Sequence, residues 1–290
     1  MPRGCRCRQG RWSRAGPLRG GGRTGPGGRA YPGAAPDPGR RCGLRVHRLR
    51  VLRRLPHPGR GFTQGLLAED GTVWESTGLY GQSTLRRYPL GAGQPAASAP
   101  LPGDLFGEGI CRAGGHLWQL TWQERVALRW DPDSLQLLGQ VPYNRAGWGI
   151  CAGAGLVVTS DGSSELIWRD PGSLEPLGLL RVRCGRHRVP GLNDLAWSGG
   201  LIWANLLGRD CLAGIDPDSG EVTDIVDARA ARERHWGDPE AVMNGIAALP
   251  GDGEFLLTGK HWRYLRHVRL TPGRHRDPAR LLLGELSSPG

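Results

Sequence analysis

Gln64-Gly65-Leu66-Leu67-Ala68-Glu69-Asp70-Gly71-Thr72-Val73-Trp74-Glu75 sets a polar residue before a glycine, then an apolar stretch, a glycine turn and a second apolar stretch. Its opening triplet returns as Glu108-Gly109-Ile110, Trp148-Gly149-Ile150, Asn193-Asp194-Leu195 and Asn244-Gly245-Ile246, with leading residues 44, 40, 45 and 51 positions apart. A glycine follows each leading residue at a nearly fixed distance: Gly71, Gly115, Gly155, Gly200 and Gly253. After it comes a short apolar run, such as His116-Leu117-Trp118-Gln119 or Leu201-Ile202-Trp203-Ala204. Short strands at this repeat length, without helical periodicity, are the pattern of a β-propeller with one four-stranded sheet per repeat. The expected fold is therefore all-β, a five-bladed propeller.

Within each repeat the first strand runs into the glycine turn and the second leaves it. The third ends at Asp-Pro-x-Ser, found at Asp131, Asp170 and Asp216. Asp and Pro suit a tight turn into the fourth strand, seen in residues 135–141 and 221–226. Leu44–Leu55 stands ahead of the first motif, where a fourth strand belongs. It is expected to complete the last blade, because an open edge invites aggregation.

Outside the repeats, charge is uneven. Residues 1–60 hold sixteen arginines and one acid, Asp37, so of the formal +11 the rest of the chain carries −4. Residues 1–40 are Arg/Gly/Pro-rich with few aliphatic side chains and are expected to form a disordered leader; residues 41–290 are expected to form the propeller. The leader could alternatively serve as a nucleic-acid or membrane tail. Gly20, Gly22 and Gly25 fit a dinucleotide-loop pattern, but no strand precedes them and no helix follows. No apolar run approaches the roughly 18 residues of a membrane span, and no secretory h-region is visible. Seven cysteines without a C-x-x-C pair, and eight histidines without zinc-like spacing, indicate neither disulfides nor metal.

Equivalent positions of the blades face one another around the axis. The leading residues Gln64, Glu108, Trp148, Asn193 and Asn244 form one expected ring. Residues across each hairpin, Gly78, Trp122, Gly162, Leu207 and Lys260, form a second. A structural ring would repeat one residue type, whereas these vary, as a binding site would. Lys260 is the single lysine beside thirty-seven arginines, and a compact ammonium is not interchangeable with a guanidinium. Trp74, Trp118 and Trp203 follow the repeat glycines and read as inter-blade core.

Phe62-Thr63-Gln64-Gly65-Leu66, the long Glu75–Ser83 stretch, Phe106-Gly107-Glu108-Gly109, Gln119-Leu120-Thr121-Trp122, Gly147-Trp148-Gly149, Leu192-Asn193, Asn244-Gly245-Ile246-Ala247 and Thr258-Gly259-Lys260 resemble the plant and bacterial glutaminyl-peptide cyclotransferase (glutamine cyclotransferase) family. The likeness runs in unbroken order over about residues 56–270. It implies a five-bladed propeller that cyclises N-terminal glutamine to pyroglutamate with release of ammonia, without cofactor or catalytic metal. By the same resemblance Glu108, Lys260 and Asn193 are the catalytic residues. Gln64, Phe62, Trp122, Trp148 and Asn244 bind substrate. The implied partners are peptides or proteins with N-terminal glutamine, not nucleic acid or a membrane span. A monomer is expected, in a periplasmic or secreted setting. Two departures stand out. Leu207 occupies a position where the family carries tryptophan, and Asn193-Asp194 replaces an Asn-Glu pair.

The chemistry needs few parts. The substrate's neutral α-amine is tethered to the γ-amide it attacks. What remains is moving a proton from the amine to the departing ammonia and stabilising an oxyanion. Glu108 is the single acid among the ring's leading residues and suits the proton steps; Lys260 and Asn193 suit the oxyanion. Three other readings stay open: a glutamate at a blade start can be a strand-capping acceptor, a propeller can bind peptides without turning them over, and the leader alone would support nucleic-acid binding.

Overall fold

In the computed structural model, which describes residues 43–233 and 238–283, every glycine turn of the repeat joins two antiparallel strands. The expectation for residues 1–40 lies outside the described residues. The described residues belong to one compact unit. Blade 1 comprises Thr63–Glu69, Thr72–Thr77, Thr84–Pro89 and Ala97–Pro100, and blade 2 Gly107–Ala113, His116–Thr121, Val126–Trp130 and Leu137–Pro142. Blade 3 is Ile150–Gly153, Leu156–Ser160, Glu165–Arg169 and Pro176–Arg181, and blade 4 Leu192–Ser198, Leu201–Leu206, Cys211–Ile215 and Val222–Asp227. Blade 5 takes Met243–Ala248, Glu254–Gly259 and Tyr264–Pro272 from the end of the chain, and its fourth strand, Arg45–Pro56, from the beginning.

That closing strand does more than the sequence suggested. Antiparallel to Tyr264–Pro272 along its length, it also runs parallel to blade 4, with Arg45–Arg48 opposite Asp224–Asp227. One anchor holds the junction. The buried Asp224 carboxylate accepts hydrogen bonds from Arg45 Nε at 2.8 Å, Arg45 Nη2 at 2.6 Å and Thr223 Oγ1 at 2.7 Å, and its Oδ1 lies 2.7 Å from His47 Nε2. Two parallel N–H···O bonds from one guanidinium make a geometrically specific pair. Burial works against its charge, yet these donors hold the Asp224 carboxyl well below the usual carboxylate range.

The Asp-Pro-x-Ser turns form alike. In each, Asp Oδ1 accepts the backbone N–H two and three residues on and the serine hydroxyl, as in Asp131 with Asp133, Ser134 N and Ser134 Oγ at 3.1, 2.7 and 2.7 Å. Asp170 and Asp216 repeat the arrangement. The indoles of Trp74 and Trp118 reach the next blade's turn, donating to Pro132 O and Pro171 O at 3.0 Å. Trp203 instead packs edge-on against Phe255 of blade 5. These tryptophans are buried, and large aromatic side chains supply much of the apolar area that holds such interfaces. Cys111 and Cys151 are buried free thiols in neighbouring innermost strands, as core packing requires. Cys184 is disulfide-bonded, against the expectation of no disulfide; isolated cysteines without characteristic spacing carry no local pairing signal.

The glycine after the leading residue in blades 1 to 3 has a steric cause. A Cβ on Gly65 would lie 2.6 Å from Gly109 Cα, one on Gly109 2.6 Å from Trp148 O, and one on Gly149 2.1 Å from Asn193 O. The innermost strands of blades 1 to 4 thus approach backbone to backbone in sequence, which only glycine allows.

Candidate active site

In four blades the innermost pairing slips at the leading residue: between Thr63 and Gly65, Gly107 and Ile110, Leu192 and Leu195, and Met243 and Ile246. A β-bulge re-aims a side chain at a strand end. Gln64, Glu108, Asn193 and Asn244 all sit in these bulges. Trp148 lies just ahead of its strand, held by Trp148 N to Ser160 O at 3.1 Å. The second ring has a shared rule too. Gly78, Trp122, Leu207 and Lys260 each donate a backbone N–H to the carbonyl two residues before the leading residue: Phe62, Phe106, Gly191 and Val242. Blade 3 departs, since Gly162 donates to Leu192 O of the next blade.

A polar relay crosses three blades. Asn244 Nδ2 donates to Gln64 Oε1 at 2.9 Å and to Thr63 O at 3.1 Å, and Gln64 Nε2 donates to Glu108 Oε1 at 2.8 Å. Both ends of the Gln64 amide are thereby engaged by protein. Gln64, Glu108, Asn193 and Asn244 are buried. The Asn193 side-chain amide has no hydrogen-bond partner among the described residues; its backbone carbonyl accepts from Ser160 Oγ at 2.8 Å.

Burial pushes the Glu108 carboxyl well above the usual carboxylate range. Asp194 and Glu124 push the same way, while Lys260 and the Gln64 bond oppose them. Burial likewise draws the Lys260 ammonium below its ordinary value, against Glu108 and Glu240. Glu108 and Lys260 interact through space, and Lys260 Nζ lies 4.3 Å from the Phe62 ring centroid, a cation–π contact.

An aromatic wall adjoins the relay. Phe106 packs against Phe62, Tyr80 and Trp122 with centroids 6.2, 5.4 and 5.5 Å apart, and His261 closes on Phe62 at 5.4 Å. The two glycines of the second ring make room for rings. A Cβ on Gly78 would fall 2.3 Å from Phe106 Cε1, and one on Gly162 would fall 2.6 Å from Trp148 Cη2. Leu207 is 41% exposed beside blade 4's entry.

Several residues here escaped the sequence reading. Phe106 lies within a quoted motif but was not expected in the wall. Tyr80 donates to Glu124 Oε1 at 2.6 Å, and its hydroxyl is pushed up to about 12 by burial and by that carboxylate. Glu75 opens the long motif yet lies outside the relay, buried with His57. Its Oε1 is 2.9 Å from His57 Nε2 and accepts from Thr63 Oγ1 at 2.7 Å, and Tyr88 OH donates to its Oε2 at 3.2 Å. Burial would neutralise both partners, but each counters it: Glu75 holds the His57 imidazole above its ordinary value and His57 holds Glu75 below. Thr63 joins this pair to the strand carrying Gln64. Asp194 is the fourth omission.

Among the described residues no group of three or more His, Cys, Asp or Glu is placed to hold a metal ion, and no helix is long and apolar enough to cross a membrane. A family model described as glutamine cyclotransferase matches residues 33–270. Among characterised proteins, a glutaminyl-peptide cyclotransferase from Arabidopsis thaliana is 31% identical over 233 residues, covering 78% of this chain and 72% of that one. Among solved structures, a glutaminyl cyclase from Myxococcus xanthus superposes with a TM-score of 0.74 at 35% identity, covering 80% of this chain and 100% of the other.

Proposed function

The chain belongs to the glutamine cyclotransferase family, and we infer that it cyclises N-terminal glutamine of peptides to pyroglutamate, releasing ammonia, with Glu108 as the group that moves the proton. The observation that carries this reading is the buried Glu108 carboxyl, held at one oxygen by Gln64 and interacting through space with Lys260.

The α-amine nitrogen attacks the γ-carbonyl carbon of the same glutamine, forming the ring C–N bond and a tetrahedral oxyanion. Glu108 takes a proton from that nitrogen and returns it to the γ-amide nitrogen, so the C–N bond breaks with ammonia as the neutral leaving group. A carboxyl whose pKa is raised by burial is suited to both halves of this exchange near neutral pH. Lys260 and the unengaged amide of Asn193 stabilise the oxyanion. Phe62, Trp122 and Trp148 supply the apolar walls that exclude water from the charge transfer. Gln64, whose amide is bonded to protein at both ends, orients Glu108, while Asn244, bonded through its Nδ2, holds Gln64 and borders the substrate. None of these steps calls on a metal or cofactor. The substrate class is a peptide or protein beginning with glutamine, taken up by a monomer.

The test is ammonia release from a Gln-dipeptide by the purified full chain, with and without EDTA, and mass spectrometry of the product. Stoichiometric ammonia and pyroglutamyl peptide in both conditions support the reading. A dipeptide that binds but is recovered unchanged favours a binding propeller.

A further inference from the structure

Four of the five repeats carry glycine after the leading residue; blade 4 carries Asp194. The mechanism above makes no use of it, yet it is fully buried. Its carboxylate crosses the axis: Oδ2 accepts the backbone N–H of Leu66 in blade 1 at 3.2 Å and of Ile246 in blade 5 at 2.8 Å. Innermost strands are sheet edges, so amides turned to the axis have no ladder partner. Asp194 supplies the acceptor that buried amides require. Oδ1 is buried without a partner, a cost that a merely space-filling residue would not incur.

The two amides it holds are placed alike. Leu66 follows Gln64 by two residues and Ile246 follows Asn244 by two. Ile246 ends the bulge that aims Asn244, and Leu66 directly follows Gly65, where the bulge that aims Gln64 ends. Those side chains are consecutive members of the relay from Asn244 through Gln64 to Glu108. We propose that Asp194 is a positioning residue: by holding Leu66 and Ile246 from blade 4, it fixes the spacing of the two bulges and thereby the angle at which Gln64 meets the Glu108 carboxylate. The proposal rests on the reading of Glu108 as the proton-transfer group.

The work of Asp194 is acceptance of two N–H bonds, and burial drives its carboxyl well above the usual range. A neutral amide of the same shape should therefore replace it. Asp194→Asn is expected to keep kcat within about threefold. Asp194→Leu, similar in size but without an acceptor, is expected to lower kcat about 10- to 100-fold, the scale of a misplaced catalytic group. KM for a Gln-dipeptide should change less than threefold in both, because the aromatic walls are held by other contacts. Asp194→Ser, whose shorter side chain falls short of both amides, is read the same way should the leucine variant not fold. Asp224→Leu, a buried carboxylate replaced far from the relay, is the comparison. It should lower Tm and leave kcat intact. The proposal is overturned if the leucine or serine variant retains kcat within twofold, if KM alone changes, or if Asp194→Asn is as damaging as Asp194→Leu. Glu108→Gln is assayed alongside. If it remains active, the reading of Glu108 fails and takes this proposal with it; if it is inactive while Asp194→Ser turns over normally, only the role of Asp194 fails.

Discussion

Replacing Gln64 by leucine removes two hydrogen bonds, one to Glu108 and one from Asn244, and changes little volume, so its consequence can be worked out in advance. Gln64 Nε2 donates to Glu108 Oε1 at 2.8 Å, and this bond favours the ionised carboxyl. Asn244 keeps its second acceptor, Thr63 O. A hydrogen bond to a charged group contributes roughly 1.5–3 kcal/mol, which at about 1.36 kcal/mol per unit corresponds to a rise of about one to two pKa units in Glu108. The sign is fixed. Glu108 must be ionised to accept the amine proton, so a higher pKa moves the acid limb of the kcat profile to higher pH. Gln64→Leu should therefore lose about 10- to 100-fold in kcat on the acid side of the profile and recover part of it in alkaline buffer. The assay is ammonia release from a Gln-dipeptide at saturation from pH 5 to pH 10, with the unmodified enzyme in parallel so that the substrate's own amine contributes equally to both curves. Unchanged profiles, or a limb displaced toward acid, would refute the argument that Gln64 governs Glu108.

Lys260→Arg should be nearly as damaging to kcat/KM as Lys260→Ala. The ammonium occupies a partly buried place over the Phe62 ring, where a planar guanidinium is bulkier and its donors point elsewhere; steady-state kinetics of the two variants decide this. Asp224→Asn should lower Tm by about 2–4 °C, corresponding to roughly 1 kcal/mol for the exposed-side pairing with Arg45. Because the folded-state pKa of Asp224 is depressed, its contribution is present above the unfolded value of about 4 and fades as pH falls below it. The Tm gap between variant and parent should close in acid, as melting curves would show. Leu207→Trp should lower KM several-fold with kcat nearly unchanged, since a ring at this exposed position adds contact area and a cation–π term of about 0.5–2 kcal/mol with the substrate amine.

The blades were legible because glycine at a turn or close approach is dictated locally: the 2.1–2.6 Å clearances at Gly65, Gly109 and Gly149 leave no alternative. The Asp-Pro-x-Ser turns were legible for the same reason, each being closed by its own four residues. The two rings could be placed by counting along hairpins, and the resemblance put names to their roles. The relay itself was not legible. Its bonds join residues 44 and 180 positions apart, and a bulge that turns Gln64 toward Glu108 leaves no mark in hydrophobic alternation. Asp194 looked like a mild substitution because its partners are backbone amides, which every residue carries. Phe106 escaped because its place depends on Gly78, across the hairpin in blade 1. The parallel pairing of Arg45–Arg48 with Asp224–Asp227 was missed because the expected closure of blade 5 already accounted for that strand.

The most direct measurement of the account is turnover by Glu108→Gln. Glutamine matches glutamate in size, so Gln-dipeptide binding by calorimetry should remain within a few-fold of the parent. The amide cannot take the amine proton, so ammonia release should fall by about 10²- to 10⁴-fold. Parent-like ammonia release from a variant of parent-like Tm would contradict the assignment of proton transfer to Glu108.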